Sequence, residues 1–380
     1  MGHTTLLAGY PNRYPTVYHR IRLAAGDMTV VIDDEAGRRT VIIRNIELER
    51  VRQAGRVDEA LAPEEIVPAD RLSPDRNTSF AQAAAALLKQ RGVTSVRSDQ
   101  MLPLLFVDVL GESGIEVECD RGLGVLERRR KDDWEVEQLR TAQRATEGSI
   151  RHAFELMRDA EVRDDTLFDD GEPLTSERLR AAISMYLMQR GVATPDDSIA
   201  AAGPIGADCH QHGAGPIRIG QPVIIDVFPI DLHSRYHGDC TRTLCRGPIS
   251  APLREMHEAV VEAKAAAIEV CRTGATGAEV HRAVKDLFTE RGYRIGLPLP
   301  NDPPETVFYP HGTGHGIGLE VHEPPLLDDR GVELVEGDAL TVEPALYRRD
   351  LGGVRVEDLV IVRANGCENL NELPEGLWWD

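Results

Sequence analysis

The spacing of apolar positions changes along this chain, and the order of the changes is informative. Up to about residue 127, Thr29-Val30-Val31-Ile32 and Val41-Ile42-Ile43 read as strands and Phe80 to Lys89 as a helix, with a further strand expected near Leu104 to Val109. This predicts a small α/β domain with no cluster of catalytic residue types, suited to shaping a cleft or holding a partner subunit. The run Arg128-Arg129-Arg130-Lys131, followed by Asp132-Asp133, marks a boundary. Beyond it Leu139, Ala142, Ile150, Ala153 and Met157 recur at helical spacing, and Leu179, Ile183, Tyr186 and Leu187 do so again before Gly191. Pro222 to Phe228 is then a buried-strand run, and Asp239 to Leu244 a second strand after a turn-rich link.

The pattern repeats. Leu253, Met256, Val260, Ala263, Ala267 and Val270 form one helix face, and Thr276-x-x-Glu279 is a capping box ahead of Val280, Val284 and Leu287. Asp338 to Glu343 and Gly353 to Ile361 then read as two strands around a short loop. The predicted class is α+β, with an α-α-β-β unit occurring twice behind the smaller α/β domain.

Composition changes this picture little. At 380 residues, 42% hydrophobic and 28% charged, the chain has ordinary globular composition and is long enough for two domains that need no structural metal or disulfide. Charge says more. With 43 Lys+Arg against 63 Asp+Glu the net charge is −20, which repels phosphate backbones, and one short basic run does not offset it, so no nucleic-acid partner is expected. Six cysteines without a C-x-x-C pair fit free thiols in a reducing compartment, which points to the cytoplasm. No apolar run spans a bilayer, and Met1-Gly-His-Thr-Thr-Leu6 lacks both a signal-peptide core and a myristoylation pattern, so no membrane partner is expected either.

The candidate chemistry lies in acids placed where strands should be apolar. Asp226 and Asp239 mark the first hairpin, Glu343 and Glu357 the second. A carboxylate buried alone is too costly, so each must be paired, protonated or bound to a cation. Arg242 and Arg355 stand close to these acids and would make structural salt bridges, but two arginines do not balance four carboxylates. Two divalent ions do, and an oxygen-rich donor set favours hard ions such as Mn²⁺, with Co²⁺ or Fe²⁺ as alternatives, over a sulfur or three-His zinc site. A nitrogen donor is available in His311-Gly-Thr-Gly-His315-Gly-Ile-Gly318, whose glycines oppose a helix and permit close backbone approach. His322 follows nearby.

Six segments together resemble the pita-bread metallopeptidases, aminopeptidase P and prolidase most and methionine aminopeptidase more distantly. They are Val223-Ile-Ile-Asp226, Gly238-Asp239-Cys-Thr-Arg-Thr243, His311 to Gly318, Val321-His322-Glu-Pro324, Thr341-Val-Glu343-Pro344 and Arg355-Val-Glu357-Asp358. Each is weak alone; in this order they are specific. The resemblance implies a creatinase-like N-terminal domain over residues 1–127 and a pita-bread catalytic domain with pseudo-two-fold halves over 128–380. It implies two divalent metal ions, Mn²⁺ first with Co²⁺, Fe²⁺ or Zn²⁺ as alternatives. Asp226 would chelate one, Asp239 and Glu357 would bridge both, and His315 and Glu343 would complete the second.

By the same resemblance His210, His311 and His322 line the substrate cleft and Arg355 orients Glu357 or the substrate end. Asp208-Cys-His-Gln-His-Gly213 also admits His212 in the place of His210, which is preferred. The implied activity is hydrolysis of an Xaa-Pro bond by a hydroxide bridging the ions, in a peptide with proline second, with Glu343 moving the proton and His322 and His311 holding the oxyanion. A homodimer is implied as well. Two departures stand out: twelve residues rather than the family's usual ten separate Asp226 from Asp239, with Asp231 among them, and Cys209 replaces a common Pro. An even insertion preserves strand parity, and no base is placed beside Cys209 to make it a nucleophile. The rival readings are a metal-dependent lyase or small-molecule hydrolase on the same fold, and a peptide-binding homologue without catalysis.

Overall fold

The structure, a computed structural model, describes residues 3–379, so the expected domain ends at Met1, Gly2 and Asp380 lie outside the described residues. The chain divides into two units between Arg128 and Arg129. In the first, successive side chains of the strands are apolar on both faces, which requires both faces to be covered. Leu6, Ala8, Val30, Ile32 and Ile42 face one cluster, and Leu7, Val31 and Val41 the other. The strands are β1 Thr5–Gly9, β2 Thr29–Asp33, β3 Arg39–Ile42, β4 Glu59–Leu61, β5 Ser95–Ser98 and β6 Glu116–Cys119, in the order β4-β3-β2-β1-β5-β6. Helix α1, Arg76–Gln90, capped by Asp75 on the Thr78 N–H, lays Phe80, Ala84 and Leu88 on one face.

The segment from Leu104, expected as a strand, is instead helix α2, Leu104–Glu112. Its apolar residues are nearly continuous, so the run carries no period that separates strand from helix. Burial decides it: Phe106 and Leu110, four residues apart, are fully buried, whereas Leu104 is 80% exposed.

The second unit begins with α3, Asp133–Asp159, whose Asp132/Glu135 capping box stops fraying at its start, and α4, Ser176–Met188. Strands β7 Ile199–Ala202, β8 Val223–Val227 and β9 Cys240–Leu244 form an antiparallel sheet. Their alternation divides two environments. Val223, Ile225, Val227, Cys240 and Leu244 pack outward on Ile150, Met157, Leu179 and Ile183 of the helices, where Trp379 also stacks on Phe154 with ring centroids 4.6 Å apart. The intervening Ile224, Asp226, Thr241 and Thr243 face inward.

The second half repeats the plan with α5 Ala251–Val270 and α6 Gly277–Glu290 outside. Strands β10 Val307–Tyr309, β11 Gly314–Gly316, β12 Glu323–Leu327, β13 Ala339–Val342, β14 Ala345–Arg348, β15 Gly352–Arg355, β16 Asp358–Arg363 and β17 Gly366–Asn369 follow. The expected pair of strands is therefore four, β13 to β16. Pro344 has no N–H to continue the ladder after Glu343. The Glu357 N–H bonds to the Thr241 carbonyl of the first half at 3.1 Å. At these two points the chain changes sheets, β14 and β15 pairing beside β10, and β13 and β16 pairing in the order β12-β11-β13-β16-β17. Of the four acids only Asp226 lies within a strand; Asp239, Glu343 and Glu357 sit at strand ends.

The helical assignment of α2 is testable. On a helix Leu104 and Phe106 face different ways, whereas on a strand they would share a face. Phe106→Ala should cost about 3–5 kcal/mol in denaturant unfolding, and Leu104→Ala within about 0.5 kcal/mol. Equal large losses would restore the strand.

Candidate metal centre

Backbone and second-layer contacts fix each acid before any ligand is considered. Gly238 lies so close to α3 that a Cβ there would sit 2.3 Å from Thr146 Oγ1. That approach lets Gln143 clamp the next residue: its Nε2 donates to the Asp239 carbonyl at 2.7 Å and its Oε1 accepts the Asp239 N–H at 2.8 Å. Glu357 is held by Thr241, whose hydroxyl donates to Oε2 at 2.8 Å, and the Glu343 N–H bonds to the Thr313 carbonyl at 2.8 Å. His315 sits on β11 between two strands, where a Cβ on the adjacent Gly316 would meet the Pro324 carbonyl at 2.5 Å. The intervening loop is braced by Glu323, which accepts N–H bonds from Leu319 and Glu320 and pairs with Lys131 at 3.2 Å with both side chains buried.

The arginines are distributed unequally. Arg242 points outward with Cys240 and Leu244, donates to Asp358 at 2.8 Å, and touches only the backbone carbonyl of Glu357. Among the described residues Arg355 alone faces the acids. Its guanidinium donates to Asp226 Oδ2 at 2.6 Å, to Tyr347 Oη at 2.8 Å and to Thr241 Oγ1 at 3.2 Å, so it reaches Glu357 through Thr241 rather than directly. One guanidinium therefore faces four carboxylates.

The remaining charge has no cationic partner among the described residues. Burial, then the charges of Glu357, Asp226 and Glu343, raises the Asp239 carboxyl well above its usual range. Burial and the same neighbours raise Glu357, and burial pushes Glu343 up to about 7. Asp226 Oδ1 is buried without a hydrogen-bond donor. His315 Nδ1 donates to the Gly316 carbonyl at 3.1 Å, which leaves Nε2 as an acceptor 3.8 Å from Asp239 Oδ2 and 3.7 Å from Glu343 Oε1. Burial lowers the His315 imidazole to about 4, so it does not supply a proton. Lone pairs pointing at lone pairs need a proton or a cation between them. Donor atoms of Asp239, His315 and Glu357 all lie within 4.8 Å of one another, and this oxygen-rich set fits hard divalent ions.

The cleft over these residues has a volume of about 560 Å³ and is lined also by His210, His212, His311 and His322. Both members of the His210/His212 alternative thus reach it, although His212 Nδ1 is already bonded to the Ser198 carbonyl at 3.0 Å. His322 is exposed, its ring against that of His315 with centroids 4.3 Å apart. Both His311 nitrogens are engaged: Nδ1 donates to the Gly312 carbonyl at 2.8 Å, and Nε2 accepts from Tyr347 at 2.9 Å. Asp231 is occupied in its own turn, accepting from the Ser234 N–H at 2.6 Å. Burial pushes the Cys209 thiol up, away from nucleophile chemistry. Sequence reasoning did not single out Tyr347, which links Arg355 to His311, nor Gln143.

A model of metallopeptidase family M24 matches residues 137–364, more than half of the chain. The chain belongs to this family. Its fold is that of an X-Pro aminopeptidase from Thermotoga maritima (TM-score 0.79, 21% identical, covering 99% of this chain and 97% of that one). An Xaa-Pro dipeptidase from Bacillus anthracis is equally similar (TM-score 0.80, 24% identical, 99% and 94% covered). The family and the pita-bread fold expected from the six motifs are thus both found. In sequence, an Xaa-Pro dipeptidase of Pyrococcus furiosus is 35% identical over 206 residues, 53% of this chain. That match spans only 55% of the Pyrococcus protein's length. A probable dipeptidase PepE of Mycobacterium tuberculosis is 28% identical over 359 residues, 92% of this chain and 85% of that protein.

Excess negative charge predicts an inverted mutational effect. In metal-free protein Asp239→Asn should raise stability by on the order of 1 kcal/mol, because it removes a repelling charge. Mn²⁺ at a hundred times its Kd should add about 2.7 kcal/mol per bound ion to the wild type and little to the variant. Thermal unfolding with and without chelator reads both, and a metal-free variant less stable than wild type would show the acids to be structural.

Proposed function

We propose that this M24 chain is a dinuclear-metal-dependent peptidase that hydrolyses Xaa-Pro bonds, at a peptide N-terminus or in a dipeptide. One observation carries the reading: Asp226, Asp239, His315, Glu343 and Glu357 line one cleft with a single counter-charge among the described residues, Arg355. The relatives, Xaa-Pro dipeptidases and an X-Pro aminopeptidase, support the substrate class. Asp226, Asp239 and Glu357 with His315 and Glu343 would hold the ions, Mn²⁺ by preference over Co²⁺, Fe²⁺ or Zn²⁺. Bound there, two divalent ions supply Lewis acidity and an acidified water beside the scissile carbonyl.

The chain's own residues do the rest. Glu343, at the edge of the acid group and not fully buried, takes the proton of the attacking water and returns it to the leaving nitrogen. His322, exposed in the cleft, donates to the oxyanion. His311, with both nitrogens committed, acts instead through Tyr347 on Arg355 and so positions Asp226. His210 lines the entrance to the cleft. A homodimer and a cytoplasmic location complete the proposal; no helix among the described residues is long and apolar enough to cross a membrane.

Mn²⁺-loaded protein should release the N-terminal residue from Xaa-Pro dipeptides or longer Xaa-Pro peptides, and a chelator should stop it. Folded, Mn²⁺-loaded Glu343→Gln should lose at least about 10²-fold in kcat, and wild-type turnover by that variant would remove Glu343 from proton transfer. His322→Ala should lower kcat by about 10²–10³ with a smaller change in KM. Absence of Xaa-Pro cleavage together with turnover of small zwitterions would replace the peptidase by another activity of the fold.

A further inference from the structure

A second group of donors in the same unit differs in kind from the acid group. After the short 3-10 turn Gly203–Ala207 the chain reads Asp208-Cys209-His210, and a carboxylate oxygen, the thiol sulfur and a ring nitrogen of these residues all lie within 4.8 Å of one another. The His210 N–H bonds to Asp208 Oδ1 at 3.1 Å, closing a tight turn. Cys209 is anchored rather than free to swing: it packs on the buried cluster of Phe308, Ala345 and Tyr347. Cys209 and His210 both line the cleft.

We propose that Asp208, Cys209 and His210 form a separate binding site for a thiophilic divalent ion, Zn²⁺ or Cd²⁺, on the cleft wall. The chemistry distinguishes it from the neighbouring centre. A thiolate selects soft or borderline ions, whereas a carboxylate group with a single imidazole selects hard ones. The thiol gives its proton to solvent as the ion binds, and solvent fills the remaining position. An ion held there withdraws His210 from the substrate, so excess zinc would inhibit turnover. That consequence rests on the peptidase reading; the binding site does not.

Cd²⁺ titration of metal-free protein, followed by thiolate-to-cadmium charge-transfer absorption, tests the site without any activity measurement, because the acid group contains no sulfur. The band should reach the absorbance of one thiolate-bound cadmium per chain in wild type, persist in Cys119→Ala and Asp239→Asn, vanish in Cys209→Ala, and need at least tenfold more Cd²⁺ in His210→Ala. A band that is missing in wild type, survives Cys209→Ala or disappears with Cys119→Ala overturns the proposal. An unchanged midpoint in His210→Ala does so as well, and His210 is exposed, so that variant is not at risk of misfolding. Zn²⁺ inhibition of Mn²⁺-loaded protein should need at least tenfold more zinc in Cys209→Ala, and equal inhibition overturns the inhibitory part alone.

Discussion

Four carboxylates held around one guanidinium are the constraint on which the rest of this structure depends. Arg355 satisfies one oxygen of Asp226, and no second cationic side chain is bonded to Asp239, Glu343 or Glu357 among the described residues. An ordinary fold would relieve such repulsion by moving an arginine a few ångströms or by turning an acid to water. Here neither occurs, because the acids are tied through backbone groups: Asp239 by Gln143, Glu343 by Thr313, Glu357 by Thr241. Rigidity of this kind opposes stability in the metal-free chain, and it makes sense where the positions are set for cations rather than for one another.

Strand parity explains how one sheet can carry two opposite electrostatic solutions. Along β9 the inward residues are Thr241 and Thr243, and the outward ones Cys240, Arg242 and Leu244. Arg242 is thereby directed away from the acids and into a buried ion cluster with Asp358 and Lys264. Burial works against an ionised Asp358, yet those two cations hold its carboxyl below the usual range. Glu357 and Asp358 are neighbours in sequence and opposite in state. The first is raised by like charge and the second lowered by unlike charge, because consecutive side chains cross the sheet. A buried cluster that balances internally, Arg242 and Lys264 against Asp358 and Glu375, joins residues of the two halves, whereas the acid group facing Arg355 is left unbalanced.

Much of this was legible in the sequence because it is written in parity and order. The helix pairs and the capping box at Thr276 follow from spacing, and the acids at 226, 239, 343 and 357 stand out against the apolar runs that they interrupt or end. What was not legible depends on long-range contact. Leu104 to Leu110 has too little polar contrast to show its period, and the break in Gly353 to Ile361 is set by a bond from Glu357 to Thr241, which no local pattern encodes. Gln143 and Tyr347 look like ordinary helix and strand residues until the partner strand is in place. Thr241 and Thr243 share the parity of Asp239, so that signal was present in the motif. The basic run at 128–131 marked a boundary, but Arg129 and Lys131 are internal clamps on Asp338 and Glu323.

The two kinds of element in the site imply a division of labour. The acids stand in or beside strands and are fixed by hydrogen bonds, whereas His210 and His322 lie on exposed loop segments. On the function proposed above, the groups that would hold cations at set distances tolerate little movement, while those that would meet a substrate must let it in and out. The loop carrying His322 is nevertheless not free. Glu323 next to it accepts two backbone N–H groups and the ammonium of Lys131, all in a buried setting, so that mobility is confined to the side chain. Lys131 belongs to the segment entering α3, the helix whose Gln143 clamps Asp239. One helix together with the segment entering it thus steadies both an acid lining the cleft, through Gln143, and the loop of a histidine at its edge, through Lys131. Chemistry that needs both at once therefore depends on how α3 is seated as much as on the residues that face the substrate.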